Sequence, residues 1–190
     1  MIRLSITIVI ICFFFGRVYS QKSQLEKIRR SIGLVEMYRS WPPNYRGHRP
    51  EDKESVIRFF DYGGTNSYHE NSYFDINVQF DQSSCILKIE GKKGNKNKVI
   101  KIETMEIDLS EFSNYGYFDD YEINTAFMVY DVPTKWKREQ PISGIIKEYE
   151  TKGFWIQTRG NKDGISSRAQ TQIIQDAGNA IIELAKDFCN

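Results

Sequence analysis

The sequence predicts an α+β fold in which a helix, six to seven antiparallel strands and a long final helix follow one another. Three observations predict it. Leu25, Ile28, Ile32 and Val35 recur at helical spacing. From Tyr73 the apolar period shortens to two, with Ile76, Val78 and Phe80 alternating with Asp75, Asn77 and Gln79. Ile173, Ile174, Ala177, Ala180, Ile181, Leu184 and Phe188 then return to helical spacing. A period of 3.6 marks a helix with one apolar stripe, and a period of two marks a strand with one face on a core. Strands grouped between helices make a layered antiparallel sheet. Two architectures fit: a curved sheet or small barrel closed by a helix, or a helix-grip arrangement with the final helix lying across the sheet.

The first helix is expected from about Ser23 to Tyr38, with Glu26, Lys27, Arg29, Arg30 and Glu36 on its wet face. Trp41-Pro42-Pro43 ends it, because proline cannot donate and restricts its predecessor. Residues 21–55 thus form a helix and a proline-rich loop, and 56–190 the sheet with its C-terminal helix. Val56 to Phe60 reads as a first strand. Asp81 to Ser84 is a turn, and Cys85, Leu87 and Ile89 start the next strand.

Gly91 to Asn97, rich in glycine and lysine, reads as a hairpin loop. Val99 to Leu109 is a strand whose apolar parity slips between Ile102 and Met105, which predicts a bulge near Thr104. Tyr115 to Val132 is a further strand region. Lys135 to Gln140 reads as a charged loop around Trp136, bounded by Pro133 and Pro141. Ile145 to Tyr149 and Phe154 to Thr158 read as a hairpin closed by residues 150–153. Ser167 with Gln170 is a capping-box pattern that starts the last helix, expected to run to Phe188.

The order of elements, the Ile107-Asp108-Leu109-Ser110 stretch and a final helix ending Leu184-x-x-x-Phe188-Cys189 resemble small secreted bacterial proteins with a pleckstrin-homology-like sheet. The resemblance implies a sheet capped by the C-terminal helix. Those proteins carry no assigned activity, so it implies no catalytic residue.

Residues 1–20 read as a signal peptide. Arg3 precedes an apolar run from Leu4 to Phe15, and Val18 and Ser20 are placed for cleavage after Ser20. The run is shorter than the ~20 residues a membrane span needs. The rival reading is a retained signal anchor. Cleavage predicts a secreted or periplasmic chain with no stable membrane span.

The whole chain has 190 residues, 26 basic against 25 acidic side chains, and a net charge of +1. Losing Arg3 and Arg17 leaves 24 bases against 25 acids, a net of −1, and no basic patch that would suit a nucleic acid. Two of the three cysteines, Cys85 and Cys189, remain. In an oxidising compartment they have two readings. One is a disulfide closing a loop of about a hundred residues, worth ~4–5 kcal/mol in the chain-entropy account. The other is a buried thiol in a strand and a frayed terminal thiol.

No catalytic constellation is visible. The two histidines, His48 and His69, have no metal-ligand spacing, and no nucleophile elbow or phosphate-binding glycine loop occurs. No metal or cofactor is expected. Asp119, Asp120 and Glu122 read as a solvated acidic face, and the Lys92-Lys93-x-x-Lys96 stretch as a solvated hairpin tip. Binding is the remaining class. Tyr115, Tyr117 and Tyr121 lie in the densest aromatic stretch, and Trp136 follows in its charged segment. Tyr and Trp combine large area with few rotors, which suits a binding anchor, although strand aromatics also fill cores. The leading expectation is a non-enzymatic exported domain that binds a protein or surface ligand, with Trp136, Tyr115, Tyr117 and Tyr121 as contacts. A carrier with an apolar cavity under the final helix, and a hydrolase using paired carboxylates, are the alternatives.

Overall fold

The computed structural model describes residues 18–32, 36–38, 58–60, 73–95, 97–118, 126–157 and 167–189. Residues 18–31 form α1. The strands are β1 (Glu36–Tyr38), β2 (Arg58–Phe59), β3 (Tyr73–Asp81), β4 (Ile86–Asn95), β5 (Lys98–Asp108), β6 (Asn114–Phe118), β7 (Ala126–Gln140) and β8 (Ile145–Gln157). A 3-10 turn at Leu109–Glu111 separates β5 from β6, and α2 spans Ser167–Phe188. The fold is α+β.

The strands form one antiparallel sheet in the order β2-β1-β8-β7-β5-β4-β3, with β6 also paired to β7. Its first and last strands do not pair, so the sheet is open rather than a barrel. β7 is the spine. β8 follows it along one side from Ala126↔Gln157 to Gln140↔Ile145. The other side is shared: β5 pairs with residues 134–139 and β6 with residues 126–130. β5 and β6 are therefore one edge broken by the 3-10 turn. Asp108 caps that turn by accepting from the Ser110 N–H at 3.0 Å, and Leu109 N–H donates to the Cys85 carbonyl at 2.9 Å.

One face of the sheet carries Leu87, Ile89, Met105, Ile107, Phe127, Val129 and Trp136, all buried. Ile28 of α1, Ile32 just past its end, and Ile174, Ile181 and Leu184 of α2 close over it in one continuous cluster. Burying each such side chain stabilises by roughly 1.5–3 kcal/mol. Small residues let α2 approach closely: a Cβ on Gly178 would stand 2.9 Å from the Phe127 ring. α2 keeps its predicted bounds, because its stripe is long and strictly periodic.

Several expected boundaries change. The first helix does not reach Tyr38. It ends at Ser31, whose hydroxyl bonds back to the Ile28 carbonyl at 2.7 Å, and Glu36–Tyr38 instead pair with the edge of β8. The supposed loop Gly91–Asn97 is mostly strand. β4 runs to Asn95, helped by Gly94 at φ +128, and Lys93 is buried rather than at a solvated tip. The Thr104 bulge is absent. β5 holds its odd parity through Glu103, Met105 and Ile107, and the register shift falls at Lys93/Gly94. The single strand region from Tyr115 to Val132 is two strands, β6 and part of β7.

The predicted hairpin over 145–158 is one continuous strand. Gly153 (φ +126) and Asp131 (φ 57) absorb a register shift between Tyr130 and Pro133, so residues 150–153 kink β8 without turning it. The real hairpin joins β7 to β8 through residues 141–144.

Candidate functional site

Trp136 is not in a loop. It lies in the middle of β7, opposite Met105 on β5 and Tyr149 on β8, and is 1% exposed. Its ring sits 4.6 Å from that of Phe59, and its indole N–H donates to Thr151 Oγ1 at 3.0 Å. Charged residues flank it because Lys135 and Lys137 point to the opposite, wet face, where they pair with Glu150, Glu139 and Glu148. That alternation gives the charged look of a loop to a strand with one buried face. A side chain so enclosed offers no area to a partner, which removes Trp136 as a surface anchor.

Tyr115 and Tyr117 share a face of β6 and are 37% and 41% exposed. Both lean on the core. Tyr115 stacks on Phe112 at 5.4 Å, with Lys186 of α2 5.9 Å from its ring centre. Tyr117 packs 5.0 Å from Phe127 and donates to Asn179 Oδ1 at 3.0 Å. Burial pushes the Tyr117 hydroxyl up to about 12, with the charges of Tyr115 and Asp176 adding to it. The pair pins β6 to α2 while leaving one side of each ring wet. Tyr121 lies outside the described residues, as do His48, His69, Asp119, Asp120 and Glu122.

A polar cluster that the sequence did not announce sits at the other end of β5. Glu103 is fully buried. Its Oε1 accepts from Arg138 Nε at 2.6 Å and lies 3.2 Å from Lys101 Nζ, and its Oε2 accepts from the Phe60 N–H at 2.6 Å and from the Tyr73 hydroxyl. The Arg138 guanidinium also lies 4.7 Å over the Phe59 ring. Both oxygens of the carboxylate are thus committed to holding residues 58–60 and β3 against the sheet, as a buried charge requires. The only sequence signal was the lost apolar parity at residues 101 and 103, where charged side chains occupy the core face.

The β7–β8 hairpin carries a second unannounced feature. Ile142, Ile145 and Ile146 are 67%, 44% and 58% exposed around a turn closed by Gly144 N–H to the Gln140 carbonyl at 2.9 Å. Among the described residues β1 pairs with β8 at residues 155–157, so the outer edge of β8 is open there along 145–148, next to the hairpin tip. Open backbone edges usually carry guarding charges. Here Lys147 and Glu148 stand beside the edge, but the tip is apolar. The signal was present as three isoleucines around Ser143-Gly144, a turn without a charge.

Cys85 and Cys189 are both free thiols, half-buried, and neighbours: Cys85 Sγ lies 3.8 Å from the Phe188 carbonyl. Among the described residues, no three His, Cys, Asp or Glu side chains gather where they would hold a metal ion, and no helix is long and apolar enough to cross a membrane. No protein-family profile, curated protein or solved structure matches the chain.

Proposed function

We propose that the chain is a non-enzymatic binding domain that takes a protein partner on the free end of the β7–β8 hairpin. The observation that carries the reading is the apolar tip, Ile142, Ile145 and Ile146, set beside an edge of β8 that is open along 145–148 among the described residues. An extended segment of a partner adds to such an edge through main-chain hydrogen bonds, and the isoleucines supply the apolar contact that makes the addition selective. Tyr115 and Tyr117 offer a smaller, half-buried surface whose first role is to fasten β6 to α2. The reading of residues 1–20 as a signal peptide supports export of this binding domain.

A photo-crosslinking residue placed at Ile146, with a matched control at the exposed Ser83, tests the reading in the native compartment. The expected result is a discrete protein adduct at 146 that is absent at 83 and lost when Ile142 and Ile145 are replaced by Asp. Equal labelling at both positions would remove the hairpin tip as the contact.

A further inference from the structure

We propose that Cys85 and Cys189 form a disulfide that ties the β3–β4 turn to the end of α2. Two independent features point to the pair. The first is placement. The Phe188 carbonyl lies 3.8 Å from Cys85 Sγ, the Cys189 N–H is held by the Ala185 carbonyl at 3.1 Å, and the Phe80 and Phe188 rings meet at 5.9 Å. The final turn of α2 is therefore already seated on the hairpin that bears Cys85. The second is backbone. Cys85 stands at φ 55, in the left-handed region where glycine or asparagine is the usual occupant. A cysteine there costs conformational energy that glycine would not, and such outliers persist where the side chain has a use. The turn directs that thiol toward α2, and its carbonyl is fixed by Leu109 N–H at 2.9 Å.

The Cys189 thiol is pushed up to about 12, first by burial, then by a hydrogen bond with Cys85 and its charge, with Asp108 adding to it. The two half-buried thiols are thus neighbours, with Cys85 Sγ against the residue that precedes Cys189. The bond forms by exchange with a small-molecule disulfide such as glutathione disulfide. One protein thiol, as thiolate, attacks it and releases one glutathione thiolate. The second protein thiol then displaces the other glutathione from the mixed disulfide. The two protein thiols are oxidised to one S–S bond, one glutathione disulfide is reduced to two thiols, and the two protons pass to them.

The test treats the purified full chain with excess glutathione disulfide, blocks remaining thiols, and maps linked peptides without reduction. The expected product joins the Cys85 and Cys189 peptides, is two hydrogens lighter than the reduced chain, and reverts with a dithiol reductant. Its thermal midpoint rises by roughly 10 °C over the reduced chain, and this rise is absent in Cys85→Ser. If Cys85→Ser does not fold, Cys85→Gly, which accepts the left-handed backbone, replaces it as the control. Two blockable thiols at 85 and 189 after treatment, stable glutathione adducts on either, or a link from either to Cys12 would overturn the proposal.

Discussion

Arg138 Nε donates to Glu103 Oε1 at 2.6 Å, directly across the β5–β7 ladder, and the guanidinium covers the Phe59 ring on its way there. The contact joins sheet, β2 and core in one place. Removing one partner leaves a buried charge uncompensated. Glu103→Ala is expected to cost about 3–5 kcal/mol in urea unfolding. The double change Glu103→Met with Arg138→Met should cost clearly less than the two single losses together, because neither charge is then left alone. Strictly additive losses would mean that the two residues act separately.

Trp136 is the largest fully buried side chain among the described residues. Trp136→Ala is expected to destabilise by about 3–5 kcal/mol, through the cavity beside Phe59 and the lost indole–Thr151 hydrogen bond. Substitution of a solvated loop residue would stay within about 0.5 kcal/mol. Equilibrium unfolding separates the two cleanly.

Gly178 reverses a familiar preference. In an exposed helix interior, Gly→Ala stabilises by about 0.5–1 kcal/mol. Here the new Cβ would stand 2.5 Å from the Tyr117 hydroxyl and 2.9 Å from the buried Phe127 ring. Tyr117 can swing away, but Phe127 cannot. Gly178→Ala is therefore expected to lose about 1–3 kcal/mol, with Tyr117 fluorescence reporting its displacement. A gain in stability would show that α2 sits further from β6.

The folded chain holds the Tyr117 proton more tightly than the unfolded chain, with a pKa of about 12 against an ordinary 10.0. Its contribution to stability is complete below about pH 10 and is lost as pH rises toward 12. Tyr130 is also raised by burial and, in the reduced chain, Cys189 is raised to about 12, so they add to the same alkaline decline. Tyr117→Phe should remove one late step from the tyrosinate absorbance titration and make the decline shallower. An unchanged titration would place that step on another tyrosine.

α2 and the alternation of β3 were legible because their apolar residues repeat without interruption, whereas the stripe of the first helix predicts it to Tyr38 and α1 ends at Ser31. β7 was not, because Pro133, Pro141 and alternating charges look like loop chemistry unless the pairing of Trp136 with Met105 and Tyr149 is known. The Glu103 cluster was hidden for the same reason. Apolar patterning finds core faces by their lack of charge, and here the core face is completed by Glu103, Arg138 and Lys101. The Gly153 kink was read as a turn because a glycine after polar residues carries the same local signal in a bulge. Of the expected contact residues, Tyr115 and Tyr117 are at a surface and Trp136 is not. The isoleucine tip was overlooked because exposure depends on how far the hairpin extends beyond its neighbours, which no local pattern encodes. The proximity of Cys85 and Cys189 depends on where the end of α2 lands on the sheet, and that too is tertiary information.

The β3–β4 turn has a kinetic consequence. Gln21 of α1 reaches the Phe80 carbonyl across 59 residues, and Phe188 reaches the Phe80 ring from α2. Contacts between segments so distant along the chain repay their loop-closure entropy only after the central hairpins exist. This corner is therefore expected to close after the transition state. Phe188→Ala should accelerate unfolding in stopped-flow experiments and leave the refolding arm of the chevron almost unmoved.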